Sequence, residues 1–380
     1  DVYITEALLD FDGVDDYLDA APFIEDWNEG TVMGWVKIES NNTGNLANIY
    51  SIAGQESMRL YITKGRTPVF IVITQKQVTS SSNYPSNNIQ VQPVPTDNIK
   101  MENDVWYHVA GVFDSSSETL KLYLNGKLLN TVSDSNLSSE LITKNYNGSQ
   151  HIYSKREFTI GRYPTNTSVA GFGHFNGDID EVRVFNKALT TNQLQQIVYQ
   201  EIEEENGNVK GAVIPKDVVD FSDSVSKGES ILWSNLQAYY PMTKILSTTT
   251  KDYSIYNRDV TLHNINTVQE QTAPMPYETL NNGAWTTENT WLHGDVWDIE
   301  DVANNKDWSI VDIKHNVNAS HAVKNLGLFV ANGNTLTING DNQVQNSWYL
   351  ELNGVLDLQD DSQLIQTKNS DLVTSSTGRV

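Results

Sequence analysis

Residues 175–197 read FNGDIDEVRVFNKALTTNQLQQI and crowd Asn176, Asp178, Asp180 and Glu181 into six positions. Such a set can do acid–base chemistry, hold a hard cation, or close a fold. On an extended strand Asp178 and Asp180 share a face about 6.5–7 Å apart. An inverting glycosidase separates its carboxyls by about 6.5–9.5 Å and a retaining one by about 5–5.5 Å, so spacing alone leaves hydrolysis open. The alternation sets Ile179, Glu181, Arg183 and Phe185 against Asp180, Val182 and Val184. The face of Asp178 and Asp180 therefore runs on into valines, as a core face does. Glu181 has Arg183 two residues on to neutralise it. No third acid continues the pattern, which favours closure over catalysis.

Other catalytic sets are thin. The seven histidines (His108, His151, His174, His263, His293, His315 and His321) show no HExxH or His-x-His spacing, and there is no GxSxG, P-loop or GxGxxG. His108, inside WYHVAGVF, reads as a packed strand residue. There is no cysteine, so disulfides and thiolate metal sites are excluded.

These residues must be positioned by strands. LKLYLNGKLLNTV (120–132) alternates Leu120, Leu122 and Leu124 and carries an Asn125-Gly126 hairpin turn. TVMGWVKI (31–38), YHVAGVF (107–113) and IDEVRVF (179–185) are further strands. One helix is expected over TTNQLQQIVYQEIEEE (190–205), where Leu194, Ile197 and Val198 share a face. Short strands with turn signals between them mean an all-β sandwich or barrel.

Acids outnumber bases 48 to 25 in 380 residues, a formal charge of −23. Long-range repulsion then opposes nucleic acid and anionic membranes. No run of about 18 apolar residues offers a membrane insertion. The chain opens directly in DVYITEALLDFDG and stops after DLVTSSTGRV, which leads us to expect the remainder of a longer chain around it.

Five blocks in order carry a resemblance: LDFDGVDDYLDA (9–20), GTVMGWVKI (30–38), DVWYHVAGVFDSSSETLKLYLNGKLL (104–129), FTIGRY (158–163) and the closing FNGDIDEVRVF. Residues 1–205 resemble the laminin-G-like, concanavalin A-like jelly roll of bacterial surface and carbohydrate-active proteins. The resemblance implies an antiparallel two-sheet sandwich with its first and last strands side by side. FDGVDD and NGDIDE then become neighbours. Asp and Asn oxygens with turn carbonyls suit calcium, which takes about 6–8 oxygen ligands. Members often carry a structural Ca2+, and the expected ligands here are Asp12, Asp15, Asp16, Asp178 and, more weakly, Asp180. The plain alternative is that these acids cap turns.

Long polar segments at 74–98 and 133–155, with RYPTNTSVAGFGH (162–174), are the expected binding loops. Sugars bind by aromatic stacking plus hydrogen bonds, which makes Tyr84, Tyr146, Tyr163, Phe172 and His174 the candidate ligand contacts. Trp35 and Trp106, on strands, are expected in the core.

Residues 206–280 read as a connector with a few strands. Residues 281–380 change character: three tryptophans in NNGAWTTENTWLHGDVW, then short apolar bursts at Leu326/Leu328/Val330, Leu336/Ile338, Leu350/Leu352 and Leu364/Ile365. This resembles a Trp-rich cap and the first coils of a parallel β-solenoid of large exported bacterial proteins. Together the segments imply a secreted or cell-surface bacterial protein, adhesin-like, binding a glycan or another surface ligand. The competing class is an accessory domain of a carbohydrate-active enzyme such as a polysaccharide lyase or glycosidase. A lyase groove needs an Arg or Lys base or a calcium–carboxylate cluster, and residues 310–366 hold only Lys314 and Lys324 as bases, with no Arg.

Overall fold

The computed structural model describes the chain except residues 1–2, 6–7, 40–48, 78–87, 143–144, 147–148, 151–156, 164–171, 222–227, 243, 247, 266–267, 270–272, 295–306 and 368–369. At 3–5, 8, 49–50, 145–146, 149–150, 172, 244, 246 and 268–269 the backbone alone is described. The chain is all-β and divides into two compact units, Asp1–Thr191 with Leu232–Ala273, and Asn192–Ile231 with Pro274–Val380.

The first unit is the expected two-sheet sandwich. In one sheet Trp106–Asp114, Glu29–Ile38, Asn176–Phe185 and Leu8–Asp12 lie side by side, all antiparallel. In the larger sheet Val260–His263, Tyr17–Ala20, Phe158–Ile160, Ile49–Gln55, Met58–Thr63 and Pro68–Val72 follow in order. Alternation explains the core: Val32 and Val36, Val109 and Phe113, Leu120 and Leu122, and Leu60 and Phe70 are all buried between the sheets. Gly111 is needed where Phe70 crosses, since a Cβ there would lie 2.1 Å from that ring.

The connector expected at 206–280 is not an element of its own. Leu236–Tyr240 pairs with the second half of Asn176–Phe185, and Val268–Gln269 pairs with Leu8–Asp12. Lys244–Leu246, Thr249–Thr250 and Val260–His263 extend the larger sheet. Ala238, Tyr240, Met242, Ile245 and Val260 are therefore core residues of the sandwich. Residues 192–231 belong instead to the second unit. The helix is also shorter than its periodicity suggests. It covers Thr191–Ile197, and Ile202–Glu205 turns back on Asn208–Gly211 as a hairpin. Asn206 and Gly207, both at positive φ, supply the turn that ends any helix there.

The second unit carries the expected parallel solenoid. Ile310–Ile313, Val323–Val330 and Gln343–Leu352 stack in one parallel sheet, and Val317–Ala319, Thr335–Ile338 and Val355–Leu358 in another. Like residues stack on like: Leu328 on Leu350, Val330 on Leu352, Leu336 on Leu356. Each partner lies about twenty residues further along, the short end of solenoid repeats. Buried Asn325 and Asn346 stack in register, with Ser309 and Ser370 bonded at either end. Trp285 and Trp291 of the Trp-rich segment pack as an aromatic block at the first rung, while Trp297 lies outside the described residues. Trp291 stacks on Tyr277 at 4.5 Å, meets Trp285 edge-on at 5.0 Å, and donates its Nε1–H to the Trp285 carbonyl at 2.7 Å. Ile214 and Lys216 come from the 192–231 segment. A Cβ at Gly327 would lie 2.6 Å from Ile214, and the Lys216 ammonium sits 5.5 Å from the Trp348 ring.

Candidate functional site

The turn after Leu8–Asp12 gathers three acids. Gly13 has φ +75, a conformation glycine adopts without strain. Asp12 Oδ1 accepts from the amides of Val14 at 2.8 Å and Asp15 at 3.3 Å, and Asp16 Oδ2 accepts from the Asp12 amide at 3.0 Å. One carboxyl oxygen from each of Asp12, Asp15 and Asp16 lies within 4.8 Å of the other two. Asp16 is buried, and its carboxyl is pushed up to about 6, first by desolvation and then by repulsion from Asp12, Asp15 and Asp10. The strand pairing seats Asn176 opposite Asp12, so the two acidic stretches do meet. With its amide nitrogen turned toward the turn, Asn176 donates to the carbonyls of Phe11 and Asp12 at 3.3 and 3.1 Å. The three carboxylates form an oxygen-only donor set of the kind a hard cation takes.

Asp178 and Asp180 do not join that set. Asp178 is fully buried, sits opposite Asp10 on one side and Lys37 on the other, and its Oδ2 is 2.5 Å from the Lys37 Nζ. Asp180 accepts from the amides of Glu181 at 2.8 Å and Ala273 at 3.2 Å. The alternation read from the sequence is also broken here. The register against Glu29–Ile38 shifts between Asp180 and Arg183, and Glu181 has φ +53, the mark of a bulge. Before the bulge the odd residue Ile179 enters the core; after it the even residues Val182 and Val184 do. Asp178 thus escapes the core face that simple alternation assigned to it. Glu181 forms a buried ion pair with Arg183, as the sequence suggested, and also accepts from the Tyr239 hydroxyl at 3.2 Å. Every carboxylate of the closing strand is engaged by a cation or a backbone amide.

The outward face of the larger sheet carries a different assembly. Tyr17 alternates outward while Leu18 is core. The His263 ring stacks on Tyr17 at 4.2 Å and 7°, and the Arg162 guanidinium lies 3.5 Å from the Tyr17 centroid. Two groups that close must take opposite ring faces. Asp19, two residues on, meets His263 Nε2 at 3.1 Å and Arg162 at 3.9 Å, and Glu157 also meets Arg162 at 3.4 Å. His174 lies 6.0 Å from Tyr17. Its basicity is lowered first by burial and then by Arg162, against the pull of Asp15 and Asp12. Next along, the half-buried Tyr163 donates to Glu56 at 3.2 Å and takes the Arg59 guanidinium over its ring at 4.7 Å. Buried Arg59 in turn donates to the Glu56 carbonyl at 2.8 Å.

Of the expected ligand contacts, Tyr163 and His174 lie on this face. Tyr84 lies outside the described residues, as do the side chains of Tyr146 and Phe172. Tyr17, Arg162 and His263 come from segments more than eighty residues apart, and no local pattern joins them. His108, expected to pack, is fully buried edge-on to Trp35 at 5.5 Å, and desolvation lowers it to about 3. In the solenoid Lys314 is held by Glu278 and by Asp312.

Residues 12–195 match the family model described as the concanavalin A-like lectin/glucanases superfamily. These residues form a concanavalin A-like domain. Among solved structures the chain is similar to a Bacteroides ovatus protein named as a candidate carbohydrate binder, at 18% identity over 72% of this chain and 61% of that one, TM-score 0.44. It is also similar to a Limulus polyphemus SAP-like pentraxin, at 16% identity over 63% and 94%, TM-score 0.35. A third similar structure is the Ruminococcus gnavus IT-sialidase CBM40 bound to α2,3-sialyllactose, at 15% identity over 50% and 97%, TM-score 0.33. The chain spans about three fifths of the Bacteroides ovatus protein. No curated protein matches this chain. Among the described residues no helix is long and apolar enough to cross a membrane.

Proposed function

We propose that the concanavalin A-like domain is a non-catalytic glycan-binding module of a secreted or cell-surface bacterial protein, adhesin-like in role. One observation carries this reading. The carboxylates of the closing strand are all engaged, by Lys37, Arg183 or backbone amides, while the outward sheet face offers Tyr163 and His174 beside ordered Arg59, Arg162 and Asp19. The family spans lectins and glucanases, and the engaged acids favour the lectin side. An aromatic ring with fixed hydrogen-bonding groups around it suits the C–H face and hydroxyls of a sugar. Calcium enters as a structural ion at Asp12, Asp15 and Asp16, tying the first strand's turn to the closing strand through Asn176.

A glycan array run with and without EDTA tests the reading. We expect binding to a restricted set of glycans, weakened about tenfold or more by Tyr163→Ala, since stacking and hot-spot losses reach that size. No glycan above background on the array, with the protein folded by circular dichroism, would remove the glycan-binding reading. Binding untouched by Tyr163→Ala and His174→Ala would move the site elsewhere on the domain.

A further inference from the structure

Lys37 and Asp178 are direct cross-strand partners on the outward face of the smaller sheet. They stand in a row across four strands: Trp106, Lys37, Asp178, Asp10. Trp106 is buried, and the Lys37 ammonium lies 5.3 Å from its ring, so the amine sits against an apolar wall. Asp178 is fully buried. Gly177 lets the two strands close up, because a Cβ there would lie 2.0 Å from the Lys37 carbonyl oxygen. The amine nitrogen is 2.5 Å from Asp178 Oδ2, yet neither Asp178 oxygen has an aligned hydrogen bond among the described residues. A close but misaligned amine is poorly placed for N–H···O bonding. That contact holds it directly beside the carboxyl carbon, the kind of approach that turns a bimolecular condensation into an intramolecular one.

We propose that Lys37 and Asp178 condense into an intramolecular isopeptide bond that staples the strand of Glu29–Ile38 to the closing strand. The amine lone pair attacks Asp178 Cγ, a C–N bond forms, and one C–O bond breaks. The leaving oxygen departs as water with two protons drawn from the ammonium and carboxyl. Carboxylate plus ammonium has the same atoms as amide plus water, so no oxidant, activated donor or co-reactant is needed. The low-dielectric row favours the neutral form of the acid that reacts. Burial pushes the Asp178 carboxyl up, and the Lys37 charge only partly offsets this. Glu39, two residues beyond Lys37, is also raised by burial and interacts electrostatically with both Asp178 and Lys37. Its amide donates to the Asn176 carbonyl at 3.2 Å, which keeps it beside the pair and makes it the group assigned here to relay the proton between them.

Intact-mass spectrometry of the full chain decides the matter. The folded wild type is expected about 18 Da below its sequence mass, the loss of one water. A tryptic digest should yield a branched peptide joining the segments of Lys37 and Asp178, with no cleavage after Lys37. Lys37→Ala and Asp178→Ala should return to their sequence masses. Should either fail to fold, Glu39→Gln provides the second reading: a folded protein at full sequence mass whose Lys37 is cleaved by trypsin. Wild type at its sequence mass with both linear peptides recovered would overturn the proposal. So would a water loss located at another Asp, as in a succinimide.

Discussion

The two units bury their apolar side chains by opposite logics. In the solenoid, each strand meets one about twenty residues away, so Leu336 finds Leu356 and Leu328 finds Leu350 by short-range repetition. In the sandwich, strand pairing sets Asp12 opposite Asn176 and Phe185 opposite Leu236, and the backbone of Tyr3 opposite that of Leu246. Removing a rung from the first kind of structure costs that rung. Removing a late segment from the second takes strands out of both sheets. Long-range pairing also creates chemistry that repetition does not: the Lys37–Asp178 contact and the Tyr17, Arg162 and His263 stack exist only because distant strands are neighbours.

Truncation separates the two logics most sharply. A chain ending at residue 231 loses Ala238, Tyr240, Met242, Ile245 and Val260 from the sandwich core. Losing even two or three large buried side chains, at about 2–5 kcal/mol each, consumes the usual 5–15 kcal/mol of a domain's stability. We expect no cooperative melt and little soluble protein. A chain ending at residue 358 should keep the sandwich transition within a degree or two of the full chain. A stable, cooperative fragment 1–231 would break the comparison.

Point substitutions ask the same question at smaller scale. Phe70→Ala should cost the sandwich about 3–5 kcal/mol, and Leu350→Ala should cost the solenoid about 2–5 kcal/mol. In denaturant with fluorescence and circular dichroism followed together, each should shift one transition and leave the other. A common shift for both variants would mean that the two units unfold as one.

Calcium should act on the sandwich alone. Binding to the folded state stabilises it by about 2.7 kcal/mol at a hundredfold excess over Kd. Melting temperature should rise with calcium, fall with EDTA, and lose its response in Asp16→Asn. The pH dependence follows from the raised Asp16 carboxyl. Its folded value of about 6 lies above the ordinary 3.8, so ionising it opposes folding increasingly as pH rises between those values. A cation removes that opposition at neutral pH and is displaced by protons below about 6. A calcium response unchanged between pH 7.5 and pH 5 would rule out Asp16 as a ligand.

His108 has the opposite sign. Its folded value of about 3 lies below the ordinary 6.5, so the unfolded chain takes up a proton first as pH falls. Stability should drop from pH 6.5 downward, by about 2 kcal/mol at pH 5. Urea midpoints at pH 7, 6 and 5 should show the drop in the wild type and a flatter profile in His108→Gln. Equal slopes in the two proteins would locate the acid sensitivity elsewhere.

Much was legible in the residues themselves. Alternation with Asn-Gly turns marked the strands of 31–38, 107–113 and 120–132. Apolar bursts at regular intervals marked the solenoid. Both signals are local: a period of two residues or a repeat of about twenty survives in a single stretch of chain. The acidic turn was legible too, as three aspartates within five positions, 12–16. What only the tertiary structure decided is everything that depends on register between distant strands. The bulge at Glu181 reverses the phase of the closing strand, turns Asp178 away from the core, and hands it to Lys37 instead of the acidic turn. Residues 232–263, weakly patterned by themselves, become strands of both sheets because the open edge of Asn176–Phe185 and the edge beside Tyr17–Ala20 present unpaired backbone to them. A strand's partner is chosen by which free edge lies within reach, and that choice is made across the whole chain.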